Sequence, residues 1–290
     1  MSHESGFLTG AGGRRIYWQS WTPALPPRAV VVIVHGASEH SDRYGHVAAR
    51  LLDDGYGVFA LDHRGHGRSD GPRALIDRLA NAVSDLDQLV SRAREKHPGT
   101  PVFMLGHSMG GTVSLAYAIA HQDRLAGLIL SGPLAALQAA PAPLRLAGRL
   151  LSALAPTLPL ISIDASLVSR DPAVVSAYIS DPLVHHGKLP ARTVAELAAA
   201  IDSFPARVAS ITIPTLILYG TADGLCPPAG SVMLSERIGA ADRTIKAYDG
   251  LYHEILNEPE QDAVLADLGA WLDARVPVSR DRHPAGSSTA

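Results

Sequence analysis

The chain has 290 residues, 47% of them hydrophobic and 18% charged, with a formal net charge of -3. That composition suits one large folded unit with room for an insertion, and the slight acidity leaves no basic footprint for nucleic acid. A lone cysteine, Cys226, excludes an internal disulfide framework and suits a reducing compartment.

The N-terminal "MSHESGFLTGAGGRRIYWQ" lacks the apolar core of a secretory signal, so a cytoplasmic location is expected. "AVVVIVH" (Ala29 to His35) is a near-continuous apolar run, the pattern of a strand buried on both faces. "YGHVAARLLDDG" reads as a helix ended by Gly55. The strand "GVFALD" follows, then the amphipathic helix "AVSDLDQLVSRAREKHPG", stopped by Pro98-Gly99. Next come the strand "PVFMLG", the helix "GGTVSLAYAIAHQ" and the strand "AGLILSG". This alternation predicts a mostly parallel sheet with helices on both faces.

The alternation stops near Gly132 and resumes near Ile213 with "PTLILYG", a helix from Pro228, the strand "RTIKAYDG" and a helix from Asn257 to Ala274. Residues 133–206 lack convincing strands and are rich in Ala, Leu and Pro. They read as a helical insertion on an α/β core made of residues 1–132 and 207–276. Residues 277–290 are polar and rich in Pro, Gly and Ser, the composition of a disordered tail.

"PLRLAGRLLSALAPTLPLI" (Pro143 to Ile161) is the most apolar long stretch. A membrane span needs about 20 apolar residues with few charges. Arg145 and Arg149 interrupt the first half and Pro156 and Pro159 break the second. A helix from Leu144 to Ala155 reaches roughly 18 Å, too short to cross. On a helical wheel Arg145, Arg149 and Ser152 share one narrow stripe, and leucines cover most of the remaining arc. The segment is either a buried cap helix or a lid. As a lid, part of its arc lines an acyl tunnel and part rests on a bilayer surface, and Leu150 and Leu151 are candidate substrate-binding residues.

"VFMLGHSMGG" joins a strand to a helix through Gly106-His107-Ser108-Met109-Gly110, a G-x-S-x-G in the strand–turn–helix context that exposes a nucleophilic serine. The Met109 amide, at a helix N-terminus, is placed to hold an oxyanion. A second donor is expected from the loop after an earlier strand, where "VVIVHGASEH" offers the Ala37 amide. In this architecture the acid and then the base follow the serine in chain order. Asp223 lies just after the strand of "LILYGTADGLC", and His253 lies in the loop after the next strand. His253 is the one histidine between Asp223 and the tail, where His283 lies. Asp249 is the rival acid, but it sits too close in sequence to His253 to reach round it easily.

Taken together, "HGASEHSDRY", "ALDHRGHGRSDG", "GHSMGG", "TADGLC" and "GLYHEILNEPE" resemble the monoacylglycerol lipase family of the α/β-hydrolases, especially its actinobacterial members. The resemblance runs from about Arg15 to Leu272. It implies an α/β-hydrolase fold with a helical lid, and hydrolysis of monoacylglycerol to fatty acid and glycerol without a cofactor. It also implies Ser108, Asp223 and His253 as the triad, with Ala37 and Met109 as oxyanion donors. Ser38 departs from the family, which often carries glycine beside the oxyanion residue; its hydroxyl either narrows the polar pocket or bonds substrate.

Glu39 and Arg43 are spaced i, i+4 near the oxyanion loop. By resemblance they border the glycerol compartment; the plainer alternative is a surface ion pair worth under about 1 kcal/mol. Cys226, three residues after Asp223, either lines the pocket or is an ordinary buried residue. His63 and His66 in "DHRGHGRSDG" do not form a zinc pattern; the glycines suggest a structural loop under the site. His185 and His186 are expected at the surface or pocket rim. Lysophospholipase, general carboxylesterase and acyltransferase chemistry use the same acyl-enzyme. A non-catalytic lipid binder would not need an intact triad. The expected partners are a single-chain lipid ester and, peripherally, a membrane surface; oligomeric state is not legible.

Overall fold

The computed structural model describes residues 1–137, 148 and 150–276. Its centre is an eight-stranded sheet in the order β1-β2-β4-β3-β5-β6-β9-β10. The first two strands, β1 (Ser2–Thr9) and β2 (Arg15–Thr22), form an antiparallel hairpin, and β2 runs antiparallel to β4 (Gly57–Leu61). From there the sheet is parallel through β3 (Val30–Val34), β5 (Val102–His107), β6 (Gly127–Ser131), β9 (Thr215–Gly220) and β10 (Arg243–Tyr248). This is the α/β-hydrolase fold that the alternation and the family resemblance imply.

Strand periodicity divides the core. Val30, Val32 and Val34 enter one apolar cluster, while Ala29, Val31 and Ile33 enter another on the opposite face. A strand flanked by helices on both sides must be apolar at every position, which is why "AVVVIVH" shows no alternation. Helices α2 (Leu79–Lys96) and α3 (Met109–His121) pack on the first face. Helix α1 (Gly45–Asp53) and the final helix, which follows β10, pack on the second.

The insertion leaves the sheet after β6 and returns at β9. It holds a short antiparallel pair, β7 (Pro159–Ile161) with β8 (Leu189–Pro190), which the sequence did not predict. It also holds α4 (Pro172–Ser180) and α5 (Ala191–Arg207). Leu197, Ile201 and Phe204 of α5 belong to the apolar cluster of the sheet, so this helix packs with the core as well as with the insertion. Helices α6 (Pro228–Arg237) and α7 (Gln261–Asp273) complete the fold. The hairpin of β1 and β2 was also missed: its burial is mixed, and its register follows its partner strand rather than a clean apolar run.

Close backbone contact fixes where the sheet presents its loops. A Cβ on Gly110 would lie 2.0 Å from the Val34 carbonyl oxygen and 2.5 Å from that of His35. Gly45, at the start of α1, has open space around the same position. Overpacking typically costs 1–3 kcal/mol, and a clash with backbone has no rotamer escape. Gly110→Ala is expected to lose about 3 kcal/mol in thermal unfolding. Gly45→Ala should be neutral or gain about 0.5–1 kcal/mol from helix propensity. Equal stabilities for the two variants would contradict this packing.

Candidate active site

The site lies at the carboxyl ends of the parallel strands. β5 ends at His107 and α3 begins at Met109, leaving Ser108 alone in the turn with φ 54° and ψ -121°. A non-glycine residue at positive φ is strained, and such strain persists only where packing over-determines it. Gly106 and Gly110 supply that packing, since a Cβ on Gly106 would meet the Ser114 hydroxyl and the Gly110 carbonyl. The elbow thus holds the Ser108 hydroxyl clear of both strand and helix.

Asp223 follows β9 and His253 follows β10. Asp223 Oδ1 accepts the amides of Leu225 at 2.9 Å and Cys226 at 2.8 Å, and Oδ2 lies 2.8 Å from His253 Nδ1. Both residues are buried. Asp249 is exposed and takes the Thr221 hydroxyl instead. His253 Nε2 lies 3.9 Å from Cys226 Sγ, and the same sulfur lies 3.8 Å from Ser108 Oγ. The direct Ser108–His253 hydrogen bond is not made in this arrangement, and a swing of the hydroxyl toward Nε2 is needed for proton transfer. Burial disfavours the imidazolium, but the Cys226 sulfur and the Asp223 carboxylate outweigh it and hold His253 well above the ordinary histidine value.

Ser108, Cys226 and His253 line a cavity of about 260 Å³. Its polar lining includes Glu39, His107, Ser108, Cys226, His253 and Glu254; much of its wall is apolar, including Leu134, Val168, Leu189 and Leu197. Ala37 lines it too, while Met109 is fully buried at the start of α3. Cys226 therefore does line the pocket. Leu150 and Leu151 are absent from the lining and are 58% and 38% exposed. Residues 144–147 and Arg149 lie outside the described residues. Ser152, expected on the polar stripe with the arginines, is buried. The described turn, residues 150–154, thus turns its serine inward and several leucines outward.

Glu39 and Arg43 do not form the surface ion pair that was the plainer alternative: Glu39 is buried and Arg43 nearly so. Arg43 donates to Glu39 Oε2 at 2.7 Å and, through both terminal nitrogens, to Glu254 at 2.6 and 2.7 Å. Glu39 Oε1 accepts the Gly36 amide at 2.5 Å and the Tyr44 hydroxyl at 2.7 Å. Glu39 lines the cavity; Arg43 does not. Burial alone would raise the Glu39 carboxyl, but Arg43 reverses the effect and brings it down to about 2. Glu254 was missed from the sequence, where it is simply the residue after His253. A carboxylate next to a buried base, with an arginine on the facing loop, was the available signal.

Ser38 has φ 67°, the conformation that glycine adopts without cost. Its hydroxyl is buried without a hydrogen-bond partner among the described residues, and it is not part of the cavity lining. His35, His63 and His66 cluster beneath the oxyanion loop. Burial pushes His35 down to about 4 and His66 down to about 3. Asp62 in the same loop accepts the Ser41 amide and hydroxyl, so this loop braces the site, as its glycines suggest. Among the described residues, Asp223, Cys226 and His253 are the one group of three whose potential ligand atoms all lie within 4.8 Å of one another. His185 donates its amide to the Ser38 carbonyl.

Fold and constellation together define an α/β-hydrolase with a serine nucleophile. The family model described as serine aminopeptidase, S33, matches residues 25–260. A monoacylglycerol lipase of Mycolicibacterium smegmatis is 46% identical over 91% of this chain and 95% of its own length. A monoacylglycerol lipase structure from Paleococcus ferrophilus has a TM-score of 0.81 at 32% identity, covering 90% of this chain and 99% of that one. A soluble variant of the Saccharomyces cerevisiae monoglyceride lipase, solved with a substrate analog, has a TM-score of 0.86 at 25% identity over 96% and 97% of the two chains. The chain belongs to the S33 serine aminopeptidase family of α/β-hydrolases, together with these monoacylglycerol lipases.

A base must be neutral to accept a proton, so a raised His253 makes activity climb with pH. The pH profile of kcat/KM, which reports the free enzyme, is expected to rise through a midpoint above 6.5. Cys226→Ala removes one of the influences that raise His253, so its midpoint should move down toward 6.5. A midpoint that stays or climbs would contradict the assigned cause.

Proposed function

We propose that this protein hydrolyses monoacylglycerols to free fatty acid and glycerol through a Ser108 acyl-enzyme. The observation that carries this reading is the cavity: Ser108 and His253 in its lining, Asp223 behind the imidazole, apolar walls around them, and Leu137 and Ile161 at once in the lining and about half exposed. His253 takes the Ser108 proton through Nε2 as Oγ attacks the ester carbonyl. The Ala37 and Met109 amides hold the oxyanion, each such donor being worth about 2.7–4 kcal/mol. His253 then gives its proton to the departing glycerol oxygen and next draws one from the water that releases the fatty acid. Asp223 keeps the imidazole oriented throughout.

The charges favour a neutral head group. Glu39 and Glu254 face the cavity while Arg43 stands behind them. A lysophospholipid phosphate would meet carboxylates rather than the guanidinium. A substrate ammonium, as a peptidase needs, would compete with the Arg43 guanidinium for the same two carboxylates. Glycerol hydroxyls need only hydrogen-bond partners, which costs the buried network no charge.

No described helix is long and apolar enough to cross a membrane. Leu150, Leu151, Leu154, Leu158, Leu160 and Ile161 nevertheless form an exposed apolar run, and Ile161 carries it to the cavity mouth. Each CH₂ leaving lipid for water costs about 0.8 kcal/mol, so a long acyl chain is best passed directly from bilayer to cavity. The insertion serves as a lid that rests on the membrane peripherally.

A panel of mono-, di- and triacylglycerols, lysophospholipids and p-nitrophenyl esters tests this, with Ser108→Ala as blank. Monoacylglycerols should give the highest kcat/KM. Leu151→Asp should weaken liposome binding and cut long-chain monoacylglycerol turnover at least about tenfold, with a soluble short ester affected far less. Preference for lysophospholipid would overturn the head-group argument, and equal losses on both substrates would overturn the membrane role.

A further inference from the structure

The donor atoms beside the cavity meet the requirements of a second kind of chemistry. The potential ligand atoms of Asp223, Cys226 and His253 lie within 4.8 Å of one another. Cys226 Sγ is 3.9 Å from His253 Nε2 and 3.8 Å from Ser108 Oγ. Zinc bonds of about 2.3 Å to thiolate and 2.0 Å to imidazole, at a tetrahedral angle, set sulfur and nitrogen about 3.5 Å apart. The observed pair needs to close by only a few tenths of an ångström.

The imidazole is already oriented as a metal ligand. A histidine that binds metal through one ring nitrogen commonly donates the other N–H to a carboxylate, which fixes its tautomer and raises its basicity. His253 Nδ1 faces Asp223 Oδ2 at 2.8 Å, and the Leu225 and Cys226 amides hold that carboxylate still. The Nε2 lone pair is left toward the sulfur. Ser108, Cys226 and His253 all line the cavity, so a cation has an entry path, and the Ser108 hydroxyl or water can fill its remaining positions.

We infer that a thiophilic divalent cation, zinc being the one that fits, binds reversibly between Cys226 Sγ and His253 Nε2 and switches the enzyme off. Binding releases the thiol proton, and the Nε2 proton where His253 is charged, to solvent. It occupies the lone pair that must accept the Ser108 proton, so the nucleophile loses its base. Magnesium and calcium prefer oxygen ligands and gain nothing from a sulfur–nitrogen pair. The inhibition rests on the triad reading; the binding does not.

The experiment titrates the chelator-treated full-length protein with cobalt(II), a spectroscopic stand-in for zinc. A thiolate-to-cobalt charge-transfer band is expected, displaced by zinc, retained in Ser108→Ala and lost in Cys226→Ala and Cys226→Ser. In parallel, micromolar zinc should lower p-nitrophenyl ester hydrolysis at least about tenfold and a chelator should restore it. Each variant is compared with its own metal-free rate, and the Cys226 variants should resist. Absence of the band in the unmodified protein, or zinc inhibition as strong in Cys226→Ala, overturns the inference. A band with undiminished hydrolysis establishes the cation site and overturns His253 as the base.

Discussion

Arg43 joins the two halves of the site. Its guanidinium is held between Glu39, which pins the loop after β3 through the Gly36 amide, and Glu254, which directly follows His253, the proposed base. Three buried charges with nearly all their hydrogen-bonding capacity filled are stable together and costly apart: removing one member of a buried ion pair typically costs 3–5 kcal/mol. The depressed Glu39 carboxyl shows the direction of the coupling. Its contribution to stability is complete above its ordinary value near 4.5 and is lost as pH falls toward about 2. Ser108 with Met109 sits on one loop, Ala37 on a second and His253 on a third, and this network sets the distance between the last two.

The insertion combines a fixed base with an open apolar face. His185 donates its amide to the Ser38 carbonyl, Asp181 pairs with His40, and the Glu254 amide donates to the Val168 carbonyl. These contacts fasten the lower part of the insertion to the oxyanion loop and to the histidine loop. The exposed leucines run from the described turn at 150–154 into β7. Residues that order the chemistry and residues suited to meeting lipid thus occupy different parts of one insertion, with Ile161 common to the surface and the cavity.

Much of this was legible in the sequence, for identifiable reasons. Parallel strands buried on both faces leave unbroken apolar runs, so β3, β5 and β9 could be read directly. Gly106, Ser108 and Gly110 carry a turn that few other sequences satisfy. Chain order singled out Asp223 and His253. What stayed hidden depends on tertiary approach. The β1–β2 hairpin takes its register from a partner strand. Glu254 gains its meaning from Arg43, which lies 211 positions away in sequence. Ser152 looked polar on a helical wheel because a wheel does not say which side faces the protein. The i, i+4 spacing of Glu39 and Arg43 suggested a surface pair; burial and a second carboxylate made it a brace.

The central claim is that Ser108 carries the acyl group of a monoacylglycerol during turnover. Quenching the enzyme within its first turnovers on a long-chain monoacylglycerol, followed by peptide mass spectrometry, tests this directly. The account predicts one acyl adduct, on the peptide containing Ser108, that disappears as substrate is exhausted. An adduct on Cys226 instead, or steady hydrolysis with no adduct on Ser108, would contradict it.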